Sequence, residues 1–107
     1  MKFEKTLGET LRKLREKENL TLREVANELN IDTSLLSKIE KNNRKPTKEL
    51  LDKFSVYFNV DIKDLKITFL SDSVAYQIMD EEDYAKKILQ AAEKKVKFFT
   101  SKKVTEK

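Results

Sequence analysis

Thr33, Ser34, Ser37, Lys38 and Lys41 recur at i, i+1, i+4, i+5 and i+8, the spacing that gathers side chains on one face of an α-helix. Short hydroxyls followed by lysines on such a face point to hydrogen bonding and charge rather than to covalent chemistry. The hydroxyls can donate to or accept from base edges, the Thr33 methyl can pack against a thymine methyl, and small side chains let a helix backbone enter a major groove about 12 Å wide. Lys41, Arg44 and Lys45 follow in a short turn that includes Asn42 and Asn43, a cluster of cations beside that face where phosphates would lie.

Other chemistries are poorly provided for. The chain has no histidine and no cysteine, so histidine acid–base catalysis, thiolate nucleophiles, disulfides and cysteine-held zinc are excluded. Its lone glycine, Gly8, cannot build a phosphate-cradling or dinucleotide loop, which needs several glycines at fixed spacing. We expect no enzyme, no cofactor and no small-molecule substrate. The acidic run Asp80-Glu81-Glu82-Asp83 has the oxygens for a hard cation. Better suited to it is the start of a helix, whose positive end favours acidic residues, with Lys94, Lys95 and Lys97 at the other end of the same segment; no metal site is expected.

The elements that must hold the reading face follow from periodicity and caps. Leu7, Leu11 and Leu14 mark a first helix over about residues 6–18, ended by Asn19. Thr21, with Glu24 three residues on, makes a capping box for a second helix whose Val25, Ala26 and Leu29 face inward. Asn30 ends it, and Asp32 or Thr33 caps a third helix with Leu35, Leu36 and Ile39 in the core. After Asn42-Asn43 and Pro46, Thr47 caps a fourth helix with Leu50, Leu51, Phe54 and Phe58 as its stripe, ending at Asn59; Asp61 opens a short fifth through Ile62 and Leu65. Asparagine thus stands where helix ends commonly need a left-handed residue, a conformation it tolerates better than most.

Beyond residue 65, Ile67, Leu70, Val74, Ile78 and Met79 recur at helical spacing, extending or following the fifth helix. A last segment, about residues 81–99, carries Ile88, Leu89, Ala92, Val96 and Phe99 on one face. Five short helices already close a core, so these stripes either meet a second copy of the chain or cover the first domain. We expect a homodimer through Ile88, Leu89, Ala92, Val96 and Phe99, with residues 1–65 as the DNA-binding domain, 66–100 as the extension and 101–107 as a frayed tail. At 107 residues and 38% apolar content the chain suffices for one domain with an appendage. The balance of 23 basic to 19 acidic residues favours an anionic partner only where the surplus is local. No apolar run approaches the roughly 18 residues of a spanning helix, and a soluble, cytoplasmic protein with no membrane partner is expected.

The stretch LTLREVANELNIDTSLLSKIEKNNRKPTKELLDKFSVYFNV, with LGETLRKLREKEN before it, resembles the lambda-repressor-like helix-turn-helix family of phage repressors and XRE-type bacterial regulators over about residues 6–65. The T-x-x-E-V-A opening, the S-K-I-E end of the third helix and the following proline carry the likeness. It implies an all-α, five-helix DNA-binding domain, here with a C-terminal helical extension, acting as a transcriptional regulator, a repressor in many members, on a two-fold symmetric operator in double-stranded DNA. Thr33, Ser34, Ser37 and Lys38 would then read bases. Thr21 and Arg23 at the start of the second helix, and Lys41, Asn43, Arg44 and Lys45 in the turn, would meet phosphates. Many members place a glutamine directly after the second helix's cap; here that position is Leu22, followed by Arg23. The likeness also implies a structural ion pair between Arg15 and Glu40. A protein-interaction module, antitoxin or scaffold, using the C-terminal helices is the other function that such a fold serves.

Overall fold

The computed structural model describes residues 5–105, and among them the chain is all-helical, with no strand. Helices α1 (Leu7–Lys17), α2 (Leu22–Leu29), α3 (Thr33–Glu40), α4 (Lys48–Phe58) and α5 (Ile62–Ile78) follow in order, and a first compact unit ends at Ser73, inside α5. A second unit starts at Val74 and runs through a 3-10 stretch, Met79–Tyr84, into α6 (Ala85–Thr105). No helix among the described residues is long and apolar enough to cross a membrane.

Threonine starts three of the helices. The side chains of Thr6, Thr21 and Thr47 accept from the backbone N–H groups of Glu9, Glu24 and Leu50, satisfying donors that a helix start leaves open. Glu9 and Glu24 reach back to the cap backbone at 3.1 and 2.8 Å, so both of the first helices open with a capping box. Thr6 donates to the Glu9 carboxylate through its backbone N–H and its hydroxyl, which hold that carboxyl below the ordinary glutamate range. The cap's contribution is therefore full above the ordinary glutamate pKa and is lost as pH falls through the lowered one. Asp32 precedes α3 without a side-chain cap bond, whereas Asp61 Oδ1 accepts from Lys63 N–H at 2.9 Å.

Four asparagines do what glycine does elsewhere. Asn19, Asn30, Asn42 and Asn59 all have φ between 55° and 63°, and they close the ends of α1 to α4. At each, the next residue's N–H reaches back five positions: Leu20 to Arg15, Ile31 to Ala26, Asn43 to Lys38 and Val60 to Ser55, at 2.8–3.1 Å. Left-handed geometry makes that closure possible. Three of the four following residues, Leu20, Ile31 and Val60, also pack partly buried against the core. The exception is Asn43, at the end of the helix expected to read DNA.

The core of the first unit takes Leu11, Val25, Ala26, Leu36, Ile39 and Phe54 at no more than 1% exposure, with Leu65 entering from α5 at 2%. Leu14 and Leu35, expected inside, are half-buried at its edge. Of the two expectations for the stripe beyond residue 65, the structure shows the extension: the fifth helix does not stop near Leu65 but reaches Ile78 as a single 17-residue helix. Its inner positions, Leu65, Phe69 and Asp72, face the first unit's other helices, while Ile67, Leu70 and Val74 are 66%, 57% and 45% exposed. The acidic run also departs from expectation. It lies in the 3-10 stretch, with Glu81 at φ −115°, ψ 44°, and α6 begins only at Ala85 with no acidic residue in its first turn. Four adjacent carboxylates repel one another, which disfavours packing them into one α-helical turn. Of the tail, residues 101–105 continue α6 and the last two lie outside the described residues.

The single glycine serves a close approach. A Cβ on Gly8 would stand 2.5 Å from the Glu40 carbonyl oxygen, 2.6 Å from that of Ile39 and 2.6 Å from Asn42 Oδ1, and two of those atoms are backbone. Gly8→Ala should therefore destabilise the chain by about 1–3 kcal/mol, because overpacking outweighs the roughly 1 kcal/mol that alanine gains from helix propensity. Urea unfolding decides it: a variant as stable as the parent or more so would show that α1 and α3 are not held this close.

Candidate nucleic-acid interface

α2 and α3, joined through Asn30, Ile31 and Asp32, form a helix-turn-helix, and α3 divides by phase. Leu36 and Ile39 are buried; Thr33, Ser34 and Lys38 are exposed, and Ser37 is half-buried beside them. The side chains available on the outer face are thus two short hydroxyls, a third partly shielded, and one lysine.

Charge gathers at the far end of α3. Lys41 forms its C-cap, and Lys41, Asn43, Arg44 and Lys45 are all exposed. Among the described residues none of Lys38, Lys41, Arg44 and Lys45 takes part in an ion pair, which leaves their charge open to an external anion. Pro46 is buried and ends the turn, bordering a groove with Ile31, Leu35, Ile39 and Leu50. Proline also restricts Lys45 to extended backbone, so the cationic turn is constrained at both ends.

At the start of α2, Thr21 and Arg23 are exposed, with the Thr21 hydroxyl accepting from Glu24 N–H at 3.1 Å and its own proton still available to donate. Leu22 between them is half-buried against the core. It offers nothing to an anion, and Arg23 is the neighbouring side chain that could.

Two contacts seat α3, and one of them carried no signal in the sequence. Arg15 Nε and Nη2 donate to Glu40 Oε2 and Oε1 at 2.7 and 2.8 Å, and Nη1 donates to the Leu20 carbonyl at 2.9 Å. Glu40 is the one charged residue among the described residues that is buried. Its carboxylate raises the Arg15 pKa above the ordinary arginine value, chiefly by hydrogen bonding, so the guanidinium stays charged at any working pH. The second contact is Asn42, whose Oδ1 accepts from Gly8 N–H at 3.1 Å and whose Nδ2 donates to Thr6 Oγ1 at 2.9 Å. Asn43 cannot supply the apolar anchor found at the other three asparagine ends. Asn42's side chain ties that end to α1 instead.

The start of α1 is thereby satisfied by its own cap and by two distant segments. Leu7 N–H donates to Asp72 Oδ2 of α5 at 2.8 Å, Gly8 N–H to Asn42 and Glu9 N–H to Thr6. The Thr6-x-x-Glu9 box repeats the Thr21-x-x-Glu24 pattern, though only the latter was expected; Asn42 and Asp72 act across 34 and 65 residues and carried no local signal. Among the described residues no group of three or more acidic side chains is placed to hold a metal ion.

A family model described as helix-turn-helix matches residues 11–65. Among solved structures, the chain is similar to the clp gene regulator ClgR from Corynebacterium glutamicum, at 28% identity over 79% of this chain and 88% of that one, with a TM-score of 0.54. No curated protein matches the sequence.

Burying an ion pair costs desolvation that the pair's attraction only partly offsets, but removing one member leaves an uncompensated charge, typically at 3–5 kcal/mol. Arg15→Met should cost about that much, and Arg15→Met with Glu40→Leu clearly less than Arg15→Met alone. Urea unfolding of the cycle tests this; a double variant whose loss equals the sum of both singles would mean the pair is not coupled.

Proposed function

The chain belongs to the lambda-repressor-like, XRE-type helix-turn-helix family, and from that premise we propose that it is a cytoplasmic, non-catalytic transcriptional regulator that binds a two-fold symmetric operator as a homodimer. One observation carries the reading: a helix clamped at its last turn presents Thr33, Ser34 and Lys38 outward, and an unpaired cationic turn follows directly. Thr33, Ser34, Ser37 and Lys38 read bases. Thr21, Arg23, Lys41, Asn43, Arg44 and Lys45 grip phosphates, setting register without reading sequence. The neighbour's printed role as a gene regulator supports the same reading.

Dimerisation rests on uncovered apolar surface. In α6, Leu89, Val96, Phe98 and Phe99 are 46%, 61%, 61% and 62% exposed; Ala92 is exposed too, and Ile88 is half-buried. Ile88, Leu89, Ala92, Val96 and Phe99 fall on one side of that helix. Burying a Leu or Phe side chain contributes roughly 1.5–3 kcal/mol, so a self-complementary stripe of this size suffices to hold two copies despite the entropy lost on association. Two reading helices would then address half-sites about 34 Å apart.

Selection of bound sequences from random duplexes should return a palindrome with half-sites spaced by one helical turn. On that operator, Ser34→Ala or Lys38→Ala should cost about 1–3 kcal/mol, with a much smaller loss on random DNA. Equal losses on both would remove these residues from base reading. In sedimentation at micromolar concentration the full chain should run as a dimer and Leu89→Asp/Val96→Asp as a monomer. A monomeric parent would overturn the dimer.

A further inference from the structure

The chain's cationic surplus is local, and it is not where the helix-turn-helix lies. Residues 1–73 hold 15 basic and 13 acidic residues, whereas α6 holds seven lysines against one glutamate, Glu93. At 100° per residue, Lys86, Lys87, Lys94 and Lys97 fall on the side of α6 opposite Ile88, Leu89, Ala92, Val96 and Phe99. All four are exposed, and among the described residues none of them is ion-paired. The acidic run Asp80–Asp83 stands outside this face, in the 3-10 stretch before the helix. Lys94 and Lys97 lie at least about 14 Å along the axis from the start of α6, well beyond the roughly 8 Å over which physiological salt lets exposed charges interact.

We propose that this lysine face of α6 is a second DNA-contacting surface, which binds phosphates of duplex DNA outside the base pairs read by α3. The proposal rests on the DNA-binding reading above and adds a partner for a face that reading leaves unused. Four like charges on one side of a helix about 30 Å long repel one another and gain when a polyanion neutralises them. Duplex DNA offers phosphates more densely than this face needs, about one charge per 1.7 Å of axis against four lysines over about 16 Å of helix, and releases its condensed counterions on contact. An anionic membrane would need the opposite, apolar face of α6, since a helix lying in the interface buries that side. In the dimer proposed above that side is taken by the second copy, which favours DNA. The contact carries no sequence information: it adds affinity and salt dependence to any duplex long enough to extend past the half-sites.

The test uses the full chain with Lys86, Lys87, Lys94 and Lys97 all changed to Gln, and a second variant with the same four changed to Arg. Circular dichroism and sedimentation check that both keep the parent's helicity and oligomeric state. Affinity is measured across a sodium chloride series for a duplex ending at the selected operator and for one carrying about ten extra base pairs on each side. The parent should bind the longer duplex more tightly, and the Gln variant should lose that gain and show a salt slope shallower by about one unit or more, since each phosphate contact contributes about 0.9. The Arg variant should behave as the parent. A Gln variant with the parent's slope and length dependence overturns the proposal while leaving DNA reading by α3 intact. A parent that binds no duplex at low salt overturns the DNA-binding reading itself. Loss of binding to phosphatidylserine vesicles by the Gln variant, with its DNA slope unchanged, overturns the proposal in favour of a membrane surface.

Discussion

The last turn of α3 must sit directly against the first turn of α1, and the rest of the first unit follows from that closeness. Gly8 permits it, since any side chain there would run into the Glu40 and Ile39 carbonyls. Arg15 then has to reach Glu40 from the same helix, two turns further on, and its fork meets the carboxylate with two short bonds. As a stabiliser such a pair is unremarkable, because burial cancels much of the attraction. Its value lies in orientation. Two parallel hydrogen bonds fix both the position and the rotation of α3, and rotation decides whether hydroxyls or core leucines face outward.

That arrangement also explains how the chain allots its scarce residue types. With one glycine, and that one committed to helix contact, every left-handed helix end among the described residues falls to asparagine. Asparagine pays more backbone strain than glycine there, but it brings a side chain that glycine lacks. At three ends the side chain is incidental and an apolar neighbour makes the anchor. At Asn42 the side chain is the anchor, and it frees the following residues, Asn43 to Lys45, from any duty to the core.

Local signals made most of the first unit legible. Threonine caps, asparagine stops and the 3.6-residue stripe placed α1 to α4 within a residue or two, and phase alone separated Leu36 and Ile39 from Ser34 and Lys38. The ion pair of Arg15 with Glu40 came from family likeness and not from spacing. What stayed hidden was nonlocal or ambiguous. α5 carries apolar residues on both sides, Leu65 and Phe69 inward and Ile67 and Leu70 outward, so its periodicity allowed either an extension of the fifth helix or a separate helix after it. The acidic run misled because charge at a helix start is a good rule only when the carboxylates can spread. Asp72 gives no sign in sequence that its partner is Leu7, since nothing local distinguishes a capping carboxylate 65 residues away from a solvated one.

The Asp72 contact changes what counts as a transplantable module. The matched family region stops at residue 65, which invites a cut there when the reading domain is moved to another protein or studied alone. Such a graft would drop the acceptor of the Leu7 N–H and leave α1 starting with an open donor at the very turn that holds α3. A weakened graft would then be blamed on a missing partner when the fault lay in its own first helix. Hydrogen bonding, and not the matched region alone, bounds the first compact unit, which runs past residue 65 to Ser73.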